Sequence, residues 1–236
     1  MERRACDWFY GAVAAGLLVV LAAPSPRRPA QAPVFAVRDV RVFDGERVQE
    51  RATVVVRGDR IAAIGADVAV PEGAEVIDGA GRTLLPAFLD AHSHAFAAEE
   101  PLEAALVFGV GTQLDMFTAR QLAAAWRAEQ ARTGAPGRAD IFSAGSVVPA
   151  PGGHGTQFGL PIPTLTAPES AQAFVDARIA EGADWIKIIV DDGSAYGVSF
   201  PTISEAVLRA AIQAAHARGT LAVVHVGRLA DARAAV

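Results

Sequence analysis

Two histidines one residue apart, His92 and His94, close a short run that begins Leu84-Leu85-Pro86-Ala87-Phe88-Leu89-Asp90-Ala91. On an extended chain, side chains alternate faces, so residues two apart leave on the same side. His92 and His94 would leave together, with Asp90 just below them. A pair of imidazoles at a strand end can hold one divalent metal ion. Alone, the pair could equally be two loop histidines without a ligand. Two later residues add weight. Lys187 stands inside Trp185-Ile186-Lys187-Ile188-Ile189-Val190, and His225 stands inside Leu221-Ala222-Val223-Val224-His225-Val226. A lone ammonium in a buried strand is costly, so it loses its proton readily or takes a partner, for which Asp191 and Asp192 are candidates. A neutral lysine can react with carbon dioxide to give a carbamate, which turns a cation into a carboxylate able to bridge two metals. His225 taken alone is more often a hydrogen-bonded core histidine than a ligand.

The elements that must position these residues follow one rhythm. After His94 the chain alternates helix and strand. Helices are expected over 99–108, 118–132, 168–181 and 204–218, with another starting at Leu229. Strands are expected over 109–116, 140–146, 185–190 and 221–226. Gly219 after the fourth helix is a C-terminal stop signal. Such alternation implies a parallel sheet with right-handed crossovers. In parallel α/β folds the chemistry gathers at the C-terminal ends of the strands, which is where His92, His94, Lys187 and His225 fall. Before this region, residues 33–84 read as short strands separated by turns such as Asp44-Gly45 and Gly58-Asp59, the pattern of a small sandwich or partial barrel.

The 236 residues carry a formal charge of −5 and are 52% hydrophobic. That is an ordinary globular composition, and its mild acidity argues against a nucleic-acid partner held by charge. Residues 1–32 read as a targeting segment: Arg3 and Arg4, an apolar run from Gly11 to Ala23, and Ala30-Gln31-Ala32 as a small-x-small cleavage pattern. The expectation is export to the periplasm or beyond, with a membrane anchor if the segment stays uncleaved. Cys6, the single cysteine, precedes the apolar run, so a cleaved chain would have no thiol for a disulfide, catalysis or metal binding.

The ordered set of a β-rich lead-in, Asp90-Ala91-His92-Ser93-His94, Gly182-Ala183-Asp184-Trp185-Ile186-Lys187-Ile188 and Val224-His225 resembles the amidohydrolase superfamily of metal-dependent hydrolases, in its imidazolonepropionase-like branch. The resemblance runs from about Val34 to the end. It implies an α/β fold in which a small β-sandwich (33–84) precedes part of a TIM-like (β/α)8 barrel (85–236) with about five βα units. It implies that His92 and His94 bind one metal, that carboxylated Lys187 bridges, and that His225 binds a second metal, with two zinc ions the default. Pro151-Gly152-Gly153-His154-Gly155 resembles a Gly-Gly-His loop of that branch, which would turn His154 toward the substrate. His216 reads as structural or exposed.

The activity so implied is hydrolysis of an amide-like C–N bond, in a cyclic amide or a dipeptide, by attack of a metal-bound hydroxide on a small-molecule substrate. The family's base aspartate comes from a later strand, so no catalytic base is assigned here, and Asp191 and Asp192 carry no signal that makes them substitutes. A closed barrel takes about 250 residues, so the chain reads as an N-terminal portion with open strand edges, inactive or nearly so alone. Ester or phosphotriester hydrolysis at the same metals is an alternative, and so is a non-catalytic α/β module that binds a metal or ligand. Metal identity and oligomeric state stay open, and a homo-oligomer is compatible with the sequence.

Overall fold

The structure, a computed structural model, describes residues 33–134 and 136–236; the expected leader, with Cys6, lies outside the described residues. The chain divides into two units, Met1–Leu84 and Leu85–Val236. Among the described residues, no helix is long and apolar enough to cross a membrane.

The described part of the first unit holds strands β1 (Val34–Phe43), β2 (Val48–Arg57), β3 (Arg60–Gly65), β4 (Glu75–Asp78) and β5 (Thr83–Leu84). They form one hydrogen-bonded sheet in the order β3-β2-β1-β4, with β5 also on β1. β4 pairs with β1 over Phe35–Arg38 and β5 pairs with it over Arg41–Val42. Between these two stretches β1 is irregular, and Asp39 takes a positive φ of 58°. Aspartate tolerates that region better than most residues, and the Arg51 guanidinium donates to its carboxylate at 2.7 Å. Val40, Val42, Ala52 and Val54 bury one face. Where the sequence suggests a small sandwich, these five strands make a single sheet interrupted at Asp39.

The second unit runs β6 (Phe88–Ser93), α1 (Glu100–Val107), β7 (Val110–Asp115), α2 (Arg120–Thr133), β8 (Asp140–Ser143), α3 (Ala171–Ala180), β9 (Ile186–Val190), α4 (Glu205–Ala217), β10 (Ala222–Val226) and α5 (Leu229–Ala235). β6-β7-β8 pair in parallel, and so do β9-β10. The segment after β8 joins the two groups: Val148 N–H donates to Lys187 O at 2.7 Å and Ile189 N–H donates to Val148 O at 3.0 Å. The result is an open arc of five βα units, part of a (β/α)8-type barrel.

Strand alternation assigns the faces. Ile186, Ile188 and Val190 of β9, with Ala222, Val224 and Val226 of β10, pack into one cluster with Val175 of α3 and Val207, Leu208 and Ala211 of α4. Lys187, Ile189 and His225, the intervening residues, border a cleft on the other face. α4 starts where Ser204 Oγ accepts from Val207 N–H at 3.3 Å, and it stops before Gly219, whose φ is 66°. These caps fix the helix that presses β9 and β10 from outside.

Some boundaries move from their expected places for visible reasons. α2 begins at Arg120 rather than Thr118, because Thr118 is bridged to Phe96 and its hydroxyl donates to Asp115 at 2.9 Å. β8 ends at Ser143 rather than Ser146. There the Ser143 hydroxyl accepts from Gly145 N–H at 2.8 Å and closes a turn.

Candidate metal centre

The cleft measures about 260 Å³ and is lined by His92, His94, His154, Lys187 and His225 together with Phe96, Phe117 and Phe158. All five residues singled out in the sequence thus border one space. His92 and His94 leave the end of β6 with ring centroids 5.4 Å apart. Lys187 comes from the inner face of β9 and His225 from that of β10. His154 comes from the long loop after β8, and its ring stacks on His225 at 4.9 Å. His216 lies elsewhere, exposed on α4.

The loop reaches the cleft because its glycines let it. Gly155 has a φ of 100°, and a Cβ there would stand 2.7 Å from Ile189 Cδ1. A Cβ on Gly153 would stand 2.5 Å from Pro201 O. No other residue type combines that backbone conformation with so close an approach. Gln157 then sets the His154 ring. Its Oε1 accepts from Gly155 N–H at 2.6 Å, which turns its amide NH2 toward His154 Nδ1 at 3.1 Å. Nδ1 must accept, so the proton of a neutral His154 sits on Nε2, where it can donate.

The electrostatics of the cleft are those of bases crowded together. Lys187 is 2% exposed, its Nζ has no hydrogen-bond partner, and burial lowers its pKa. Burial also lowers the pKa of His92 and of His94, and the charge of Lys187 adds to both effects. His225 is lowered by burial first, against an opposing hydrogen bond to Asp191. The carboxylates that could have paired with Lys187 are engaged elsewhere. Asp191 Oδ2 lies 3.3 Å from His225 Nε2, and Asp192 accepts from Ser194 and pairs with Arg228 at 2.8 Å. Neutral imidazoles and an unprotonated amine are the forms that ligate a cation or react with carbon dioxide. A buried amine without a hydrogen-bond partner beside three imidazoles is a donor set that fits a divalent metal.

Sequence reasoning passed over two groups. Phe96, Phe117 and Phe158 form an aromatic wall with centroids 5.4–5.7 Å apart, and Phe96 stacks on His94 at 5.3 Å. Phe96 lies beyond the end of β6 with a positive φ of 52°, so strand alternation gives no signal for it. Asp115, fully buried at the end of β7, accepts from Ala95 N–H at 2.8 Å, from Thr118 Oγ1 and from Ser143 Oγ. It ties the ends of β6, β7 and β8 together directly behind His94. A second hollow, about 590 Å³, lies in the first unit beside Arg38, Asp39 and Arg51, but its Arg51 and Asp39 pair with each other at 2.7 Å and it holds no histidine.

No protein-family model matches the chain. The chain is 48% identical to the dihydroorotase of Mycobacterium tuberculosis (strain ATCC 25618 / H37Rv) over 59 residues, which is 25% of this chain and 13% of that protein. It is 41% identical to the imidazolonepropionase of Arthrobacter sp. (strain FB24) over 69 residues, 28% of this chain and 17% of that one. A crystal structure of a Xaa-Pro dipeptidase with bound methionine in the active site superposes with a TM-score of 0.70 at 21% identity, over 86% of this chain and 59% of that one. Over the matched segments the chain is similar to hydrolases of the amidohydrolase superfamily. It spans a small fraction of these curated superfamily relatives and less than two thirds of the matched dipeptidase chain. Its arc of five βα units brings residues from or just after successive strands to one cleft.

Proposed function

We propose that this chain carries the metal-binding half of a hydrolase that cleaves amide-like C–N bonds, in a dipeptide or a cyclic amide, and that the protein is exported. The observation that carries the reading is the convergence of His92, His94, Lys187 and His225 on one cleft around an orphaned buried amine. Relatives named dihydroorotase, imidazolonepropionase and Xaa-Pro dipeptidase support the bond class. The apolar run and Ala30-Gln31-Ala32 support export.

In this proposal His92 and His94 hold one divalent ion and His225 contributes to a second, with zinc the default for imidazole donors. Lys187 would hold them as a carbamate: its neutral amine would add to carbon dioxide, forming an N–C bond with release of one proton, and so provide a carboxylate ligand. When bound, such metals would supply Lewis acidity and a water of lowered pKa, toward about 7. The chain's own residues do the rest. His154 presents Nε2–H to a substrate carbonyl or carboxylate oxygen. Phe96, Phe117 and Phe158 give one wall of the cleft an aromatic surface against which an apolar part of a substrate can rest. Asp115 holds the strand ends behind His94 so that the imidazole pair keeps its spacing.

Metal quantification on the purified chain tests the proposal. Lys187→Ala and His92→Ala should lower bound divalent metal, while the exposed His216→Ala should leave it unchanged. Equal metal content in wild type and Lys187→Ala would count against a bridging carbamate.

A further inference from the structure

We infer that Asp191 is the positioning residue for His225: it holds Nε2 and leaves Nδ1 as the nitrogen that can meet a metal, an inference that rests on the metal-centre reading above. Asp191 directly follows β9 and is 1% exposed. Its Oδ1 accepts from Gly193 N–H at 2.9 Å, and its Oδ2 lies 3.3 Å from His225 Nε2. Its own N–H donates to Thr202 Oγ1 at 3.0 Å. From the far side Gly227 closes in, where a Cβ would stand 2.7 Å from Asp191 Oδ1. The carboxylate is therefore clamped between the end of β9 and the residue just after β10. A carboxylate only accepts, so Nε2 of a neutral His225 carries the proton, and Nδ1 keeps its lone pair. Carboxylates that hold the second nitrogen of a ligating histidine fix its ring and raise its basicity.

Direct ligation by Asp191 is the competing reading, because potential ligand atoms of His154, Asp191 and His225 lie within 4.8 Å of one another. Two facts weigh against it. Asp191 is not among the residues that line the cleft. Both of its oxygens are already engaged, so a metal bond would displace one of those contacts.

The test has two readouts on the full chain. In the chelator-treated protein, proton NMR should show a downfield, slowly exchanging imidazole Nε2–H, assigned to His225 by its loss in His225→Gln. Asp191→Ala should abolish the signal. Gly227→Ala, which keeps the carboxylate but crowds it, should weaken or shift it. With zinc added, Asp191→Ala should bind 10–100-fold more weakly than wild type yet recover the full stoichiometry at saturation. Persistence of the signal in Asp191→Ala overturns the inference, as does its absence from wild type. A stoichiometry that stays one ion short at saturating zinc overturns it in favour of direct ligation. If wild type binds no zinc, the metal-centre reading fails, and the NMR signal still decides whether Asp191 holds His225.

Discussion

Replacing Lys187 with methionine should move stability and metal content in opposite directions. In the metal-free protein Lys187 Nζ is buried without a hydrogen-bond partner. A buried polar group left unpaired costs roughly 1–3 kcal/mol, and more when charged. Methionine is unbranched and adaptable, so it can occupy the lysine stem's space between neighbours such as Ile189 and the cleft wall without a polar atom to satisfy. Lys187→Met should therefore raise the unfolding free energy of the chelated protein by about 1–3 kcal/mol. For a chain of this size that corresponds to a rise in Tm of about 2–12 °C. The assay is thermal and urea unfolding of chelator-treated wild type and variant, followed by the same scans with added zinc. With zinc, wild type should gain stability through ligand linkage, about 2.7 kcal/mol at a hundredfold excess over Kd, and the variant should gain less. A metal-free Lys187→Met that is less stable than wild type would refute the reasoning, because it would mean that the amine is satisfied.

Asp115→Asn should destabilise by about 1–3 kcal/mol in urea unfolding, since one amide oxygen cannot replace two carboxylate oxygens facing three donors. Burial raises the Asp115 pKa above 3.8 despite those hydrogen bonds, so the folded state holds this proton to higher pH than the unfolded state. Its contribution makes stability fall as pH rises from 3.8 through the raised folded value, and Asp115→Asn should remove that slope. Asp176 has the opposite sign: its hydrogen bond from Arg218 holds its pKa at about 2. The stability it confers should be complete above pH 3.8 and lost as pH falls toward 2, so Asp176→Asn and wild type should converge in acid. Gly155→Ala should cost more than Gly159→Ala in thermal unfolding. Both glycines have positive φ, at 100° and 74°, but only a Cβ on Gly155 meets Ile189, whereas nothing stands within 4 Å of one on Gly159. The second change should cost about 1–2 kcal/mol from backbone conformation alone.

The fold was legible where the signal is local. The His92 and His94 pair needs only the two-residue period, and Lys187, which the structure turns to the cleft, stands out as a lone cation in the apolar run 186–190. The glycines around His154 announced a loop that needs unusual backbone. Contacts between strands were not legible. Asp115 draws its three partners from positions 95, 118 and 143, and no spacing in the chain joins them. Asp191 offered itself as a partner for Lys187 four residues earlier. Its carboxylate turns instead to the next strand, thirty-four residues on; it accepts from Gly193 N–H and packs against Gly227, whose lack of a Cβ leaves room for Oδ1. The lead-in reads as short strands, and strands it is, but whether they layer or join side by side depends on β1 receiving both β4 and β5 along one edge.

His92 and His225 border the same cleft although more than half the chain separates them in sequence. Every strand between them is parallel to its neighbour, so none of these contacts can form through a hairpin. The loops must close before the contacts reward them, and chains rich in such distant pairings fold slowly. In the folded arc itself β6 and β10, each paired on one side among the described residues, present bare backbone while Phe88, Leu89 and Leu221 face water. The arrangement that gathers five strand ends around one cleft thus also leaves two strand edges on which a second copy of the chain could add a strand.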